Sequence, residues 1–167
     1  MTTSVRKAQR QEGGFTLIEL MVVISIITVM ATMALPSFQD RVIRAQVEEA
    51  FALGKVAMAS VEEHYKVRGT FPGDNSRAGL PAAEKMIGNY VTRVSVEDGV
   101  VTVILGNRIN ANAEGKSVVI RPAIVEGEPK VPIAWVYGHA TVPKGMTVMG
   151  VNSGTLPPRH LPVYARY

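Results

Sequence analysis

The sequence predicts an α+β fold, a long amino-terminal helix packed on a four-stranded antiparallel sheet, and three observations carry that prediction. Phe15 to Leu35 is a nearly unbroken apolar run of 21 residues. A helical stripe continues it to about residue 68. Segments of alternating apolar and polar residues are confined to residues 90–137. At about 100 to 200 residues per domain, a chain of 167 residues holds one compact domain besides the apolar run.

A hydrocarbon core about 30 Å thick takes roughly 20 helical residues, so Phe15 to Leu35 is long enough to span it. Arg6, Lys7 and Arg10 precede the run against one acid, Glu12, and this leader supplies +2 of the net charge of +4. The positive-inside rule then puts the amino terminus in the cytoplasm and everything after Pro36 outside, with Arg41 and Arg44 weighing the other way. Within the run stands one carboxylate, Glu19. A charge at the centre of a membrane helix costs about 2.5 to 3.5 kcal/mol, so such a residue points to a function and to a partner. A removed secretory signal fits poorly, because its apolar core spans only about 7 to 15 residues. A plain signal anchor accounts for the length and leaves Glu19 unexplained.

After Pro36 the apolar positions Val47, Ala50, Phe51, Gly54, Ala57, Met58, Val61 and Tyr65 recur at steps of three and four. Glu48, Glu49, Lys55, Glu62, Glu63 and Lys66 occupy the other face, and Arg68-Gly69 is a stop. One helix from about residue 15 to about 68 is expected, its second half packing on a sheet. Pro36 and Gly54 are the expected kink points, since proline removes a helix hydrogen bond and glycine weakens the helix.

Residues 69–89 are rich in turn formers and read as a surface loop with one short helical turn. "YVTRVSV" and "VVTVIL" alternate on either side of Asp98-Gly99, a strong hairpin signal. A third strand fits Ser117 to Val125 and a fourth Ile133 to Tyr137.

The chain contains no cysteine, which excludes disulfides, thiolate nucleophiles and cysteine metal sites. His64, His139 and His160 lack metal-ligand spacing, and no phosphate-binding glycine loop or nucleophile elbow occurs. Neither an enzyme nor a cofactor is expected. His64, beside Glu62 and Glu63, reads as a solvated side chain. From Pro129 to Tyr167 there is no Asp or Glu, while Lys130, Lys144, Arg159 and Arg166 are basic, a thin footprint for DNA phosphates or another surface, against the favoured alternative of a merely solvated face.

The basic leader ending in Gly14, followed by Phe15, Thr16, Leu17, Ile18, Glu19 and an apolar run, resembles the type IV prepilin signature. Past the leader, "FPGDNSRAGLP", "IGNYVTRVSV", "IAWVY" and "HLP" resemble patterns of type IVa major pilins, so the resemblance covers most of the chain. It implies that prepilin peptidase cuts after Gly14 and methylates the new terminus at Phe15, leaving 153 of the 167 residues. Pro36 falls on the family's proline at the twenty-second mature position. Four regions follow: leader 1–14, transmembrane and filament-core helix 15–35, amphipathic helix 36–68 and globular head 69–167.

The resemblance also implies that Glu19 faces the Phe15 amine of a neighbouring copy, with a contact inside one chain as the rival. Breaking a buried pair costs about 3 to 5 kcal/mol, enough to penalise misregistered subunits. The implied function is that of a structural subunit of a type IV pilus used in adhesion, twitching motility or DNA uptake. Its partners would be further copies of itself in a helical homopolymer, prepilin peptidase, the assembly platform and minor pilins, and the inner membrane before extrusion into an extracellular filament. A DNA-binding minor or competence pilin and a type II secretion pseudopilin are the alternatives. One departure stands out. The family closes its carboxy-terminal loop with a disulfide, and here Tyr137 and Tyr164 stand at or near those places. Losing a crosslink over about 25 residues forfeits roughly 3 kcal/mol by chain-entropy arithmetic. A Tyr137–Tyr164 contact is the expected substitute, against the alternative of two unrelated tyrosines.

Overall fold

A computed structural model describes residues 14–128 and 130–166, except for the side chains of residues 35–37. Arg6, Lys7 and Arg10 of the expected leader lie outside the described residues, as does the side chain of Pro36. The chain divides into two compact units between Ser37 and Phe38. Helix α1 is Leu17–Arg68, and the strands are β1 (Val91–Glu97), β2 (Val100–Leu105), β3 (Ser117–Ile124), β4 (Ala134–Tyr137) and β5 (Thr147–Val148).

Within the second unit every residue of the expected stripe is buried, and Ile43 extends it by a turn. Glu48, Glu49, Glu63 and Lys66 stay exposed, and Lys66 reaches Glu62 one turn back at 2.8 Å. Gly54, one of the expected kink points, also has a part in packing. A methyl group there would lie 3.2 Å from Val103 Cγ2 and 3.3 Å from Ile120 Cδ1, so glycine lets the helix backbone approach β2 and β3 closely.

β1 to β4 form an antiparallel sheet in chain order. Asp98 and Gly99 join β1 to β2 with φ of 47° and 82°, the two positive angles of a tight type I′ hairpin turn. The register shifts between Val91 and Arg93, which marks a bulge at Thr92. One extra residue explains why the buried positions of β1 run Val91, Val94, Val96 and only then alternate. The edge strand β1 is covered by the 69–89 loop. Buried Asn75 donates to the Val94 carbonyl at 3.0 Å and accepts from the Val96 N–H at 2.7 Å, taking the place of a further strand. The expected helical turn in this loop is a short 3-10 turn, Ala83–Lys85.

β3 ends at Ile124 rather than Val125 and β4 begins at Ala134 rather than Ile133, ordinary differences at strand ends. A fifth strand was not expected. Ala123 pairs with both Ala134 of β4 and Val148 of β5, so β5 lies on the opposite edge of β3, beyond the end of β2. Thr155 then returns to the β4 edge, where its N–H reaches the Ser117 carbonyl at 3.0 Å and its hydroxyl accepts from the Ser117 N–H at 2.9 Å. Between Met149 and Thr155 the chain therefore crosses β3. Successive strand residues point to opposite faces, and Ile120 meets α1, so Val119 faces away from the helix. It is nonetheless wholly buried, with Gly154 lying against it.

Candidate assembly site

At the amino-terminal unit, residues 14–16 run irregularly into α1, and Phe15 is 88% exposed. A methyl group placed on Gly14 would meet nothing within 4 Å, so among the described residues no contact calls for glycine at that position. None of the side chains from Leu17 to Ala34 is buried. An 18-residue window has a mean hydropathy of 2.3, so the helix is long and apolar enough to cross a membrane. Its hydroxyls are bonded within the helix. Ser25 donates to the Met21 carbonyl, Thr28 to that of Ile24 and Thr32 to that of Val29, each at 2.7 Å. This satisfies donors that neither lipid nor packed apolar helices could serve.

Glu19 already has an occupation in its own chain. The Thr16 N–H and hydroxyl donate to Glu19 Oε2 at 2.8 and 2.7 Å, and the Glu19 N–H lies 3.3 Å from Thr16 Oγ1. This is a capping box, two helix-end donors satisfied reciprocally. It explains why α1 starts at Leu17, two residues after the expected start. The pattern T-x-x-E, Thr16 to Glu19, is the local sequence signal of this cap. Both side-chain bonds end on Oε2, and among the described residues no partner reaches Oε1. Phe15, Ile18, Val22 and Val23 surround the carboxylate and line with it an open concavity of about 320 Å³.

In the second unit the expected tyrosine contact is present. The Tyr137 and Tyr164 rings meet edge to face, 5.5 Å apart between centroids at 84°. Tyr137 in turn packs on Phe51 of α1 at 5.3 Å. Burial raises the pKa of the Tyr137 hydroxyl. Burial first, then the charges of Glu48 and Tyr137, raises that of Tyr164. A second tie went unforeseen: His160, 2% exposed, places Nε2 3.0 Å from Asp40 Oδ1 on α1. Leu156, Leu161 and Ala165 add buried apolar contact.

The four basic residues enter the head from two stretches of the chain. Lys130 and Lys144 are exposed and precede β4 and β5, which both begin opposite the last residues of β3. Arg159 and Arg166 follow Thr155, which is bonded to the first residue of β3, and Ala165 lies against Gly138, whose N–H is bonded to the Val119 carbonyl. Arg166 is moreover occupied, donating through Nε to the Leu161 carbonyl at 2.8 Å and through Nη2 to that of Arg159 at 3.1 Å. It ties the tail together. His64 is not simply solvated either, since it is half-buried and its Nδ1 lies 3.0 Å from the Thr70 carbonyl.

Comparison with known proteins gives two family matches. Residues 43–163 match the pilin family of bacterial filament proteins, and residues 9–35 match the prokaryotic N-terminal methylation motif. The type IV major pilin protein PilE of Neisseria gonorrhoeae is 37% identical over 161 residues, covering 93% of this chain and 94% of that protein. A fimbrial protein of Neisseria meningitidis serogroup B is 42% identical over 108 residues, 64% of each chain. The fimbrial protein EcpC of Eikenella corrodens is 39% identical over 121 residues, 70% of this chain and 78% of EcpC.

Proposed function

The chain belongs to the pilin family, and from that premise we propose how it is processed and how one copy takes hold of the next. It is a structural subunit of a type IV pilus, and its activity is polymerisation. The methylation motif implies processing by a prepilin peptidase. Cleavage follows Gly14, the new amine at Phe15 is methylated, and the subunit waits in the inner membrane by its apolar helix before entering an extracellular filament.

Assembly then turns on Glu19. Moving α1 from lipid into a bundle of like helices gains little hydrophobic energy, because lipid tails are as apolar as leucine, so packing and a paired charge must select the register. The observation that carries this reading is the half-used carboxylate. Oε2 is committed to the cap at Thr16, and Oε1 is open among exposed apolar side chains. The cap holds the group in one orientation, and the methylated amine of a neighbouring copy supplies the missing donor. Heterologous contacts of this kind propagate a helix rather than closing a ring.

Glu19→Ala should leave membrane insertion intact and reduce the yield of sheared filaments at least tenfold. Filaments formed by the parent chain should contain a protein whose mass is that of residues 15–167 plus one methyl group. Normal filament yield from Glu19→Ala would refute the pairing.

A further inference from the structure

At the carboxy-terminal end of α1 lies a cleft of about 410 Å³, lined by His64 and Arg68 of the helix, Thr70 and Phe71 after it, and Ser76 and Arg77 of the following loop. Its lining carries two guanidinium groups, an imidazole and two hydroxyls, and no carboxylate. We propose that this cleft binds an oxyanion, the phosphate or sulfate group of a small ester.

Arg68 has no ion-pair partner among the described residues. A basic residue in the last turn of a helix complements the helix dipole, which accounts for Arg68 alone and leaves Arg77, from a separate loop, unexplained. Arg77 meets the Asp74 carboxylate at 3.9 Å, too long for a hydrogen bond, and its Nη1 and Asp98 Oδ1 each lie 3.6 Å from the place a methyl group on Gly73 would take. Asp74 instead accepts the Arg77 backbone N–H at 2.7 Å and thereby shapes the turn. Guanidinium forks match the geometry of phosphate and sulfate oxygens and give the stronger, charge-assisted hydrogen bonds. No described residue bonds the Thr70 or Ser76 hydroxyl, so both remain available as neutral donors.

The walls are held in place without a ligand. Phe71 stacks on Tyr65 at 4.4 Å and 19°. A methyl group on Gly99 would come within 2.5 Å of the Phe71 ring, so the hairpin turn supports it from another side. His64 Nδ1 is tied to the Thr70 carbonyl at 3.0 Å. A volume of this size exceeds that of a bare ion and reaches the range of small-ligand sites, about 300 to 1,000 Å³. Beside the aromatic wall it suits an oxyanion carried on a sugar.

The test uses the full processed chain in detergent micelles and in assembled filaments, titrated calorimetrically with glucose 6-phosphate, inorganic sulfate and glucose. Glucose 6-phosphate should bind at least tenfold more tightly than glucose. Arg68→Gln and Arg77→Gln should each weaken it about fivefold, and the double variant should abolish it. Filament yield should be unchanged, which separates this site from the pairing at Glu19. The near-ultraviolet circular dichroism of the double variant checks that the Tyr65–Phe71 stack survives. Equal binding of inorganic sulfate supports the oxyanion site and assigns its source to the free ion. No binding of either anion at 10 mM, or equal binding by the double variant with its stack intact, overturns the proposal.

Discussion

Tyr164 shows how one side chain can take over part of the duty of a covalent bond. Its ring closes on Tyr137, where an edge-to-face pair contributes about 0.5 to 1.5 kcal/mol beyond the area it buries. Its phenol is neutral in that setting, and burial and Glu48 raise its pKa. An unfolded tyrosine ionises near pH 10. The unfolded chain therefore loses this proton first, so the stabilisation is fully present below about pH 10 and is lost as the pH rises through the folded-state pKa. Tyr164→Phe should leave the melting temperature nearly unchanged at pH 7 and make its decline above pH 10 shallower, measured by thermal unfolding between pH 7 and 12. The Tyr137–Tyr164 contact was legible because both residues stand where a crosslink is expected. Asn75 and His160 were not legible. A buried asparagine in a turn-rich loop looks like any other turn residue, and the Asp40 partner of His160 lies 120 positions away.

Among the elements, α1 and the β1–β2 hairpin follow from local rules. A stripe at steps of three and four needs only one apolar surface to cover it, and Asp98-Gly99 supplies the two positive φ angles that the turn requires. Gly54 is visible in that stripe, but its neighbours Val103 and Ile120 are not, so the close approach it allows leaves no mark in the sequence. Gly54→Leu should lower the unfolding free energy of the head by about 1 to 3 kcal/mol, the usual cost of overpacking. It would do so despite improving helix propensity by roughly 1 kcal/mol. Urea titration of the processed subunit checks the sign: a stabilised variant would mean that Val103 and Ile120 give way. The two-residue β5 escaped sequence reading, since its pairing with β3 is decided by an edge left open beyond β2.

On the scale of the whole molecule, the tail crosses the far face of the sheet between Met149 and Thr155, then packs back beside α1 and β4, and it is left to noncovalent ties. These are the β5 pairing, the Ser117–Thr155 bonds, the Asp40–His160 contact and the tyrosine pair. Ending the chain after Gly138 would bare Val119 and remove Leu156, Leu161 and Ala165 from the core. Such a chain should still insert in the membrane but carry a head cleaved by trypsin at least tenfold faster than the parent, read by limited proteolysis of membranes. The sequence alone determined the cleavage signature, the apolar span, the stripe of α1 and the alternating strands, because each is a pattern complete within a few neighbouring residues. Only the tertiary structure decided the route of the tail, the tie of Arg166 to the Leu161 and Arg159 carbonyls, and the tight seat of Gly54. Those depend on which surfaces and edges remain uncovered once helix and sheet have met, and a linear string of residues carries no local mark of that.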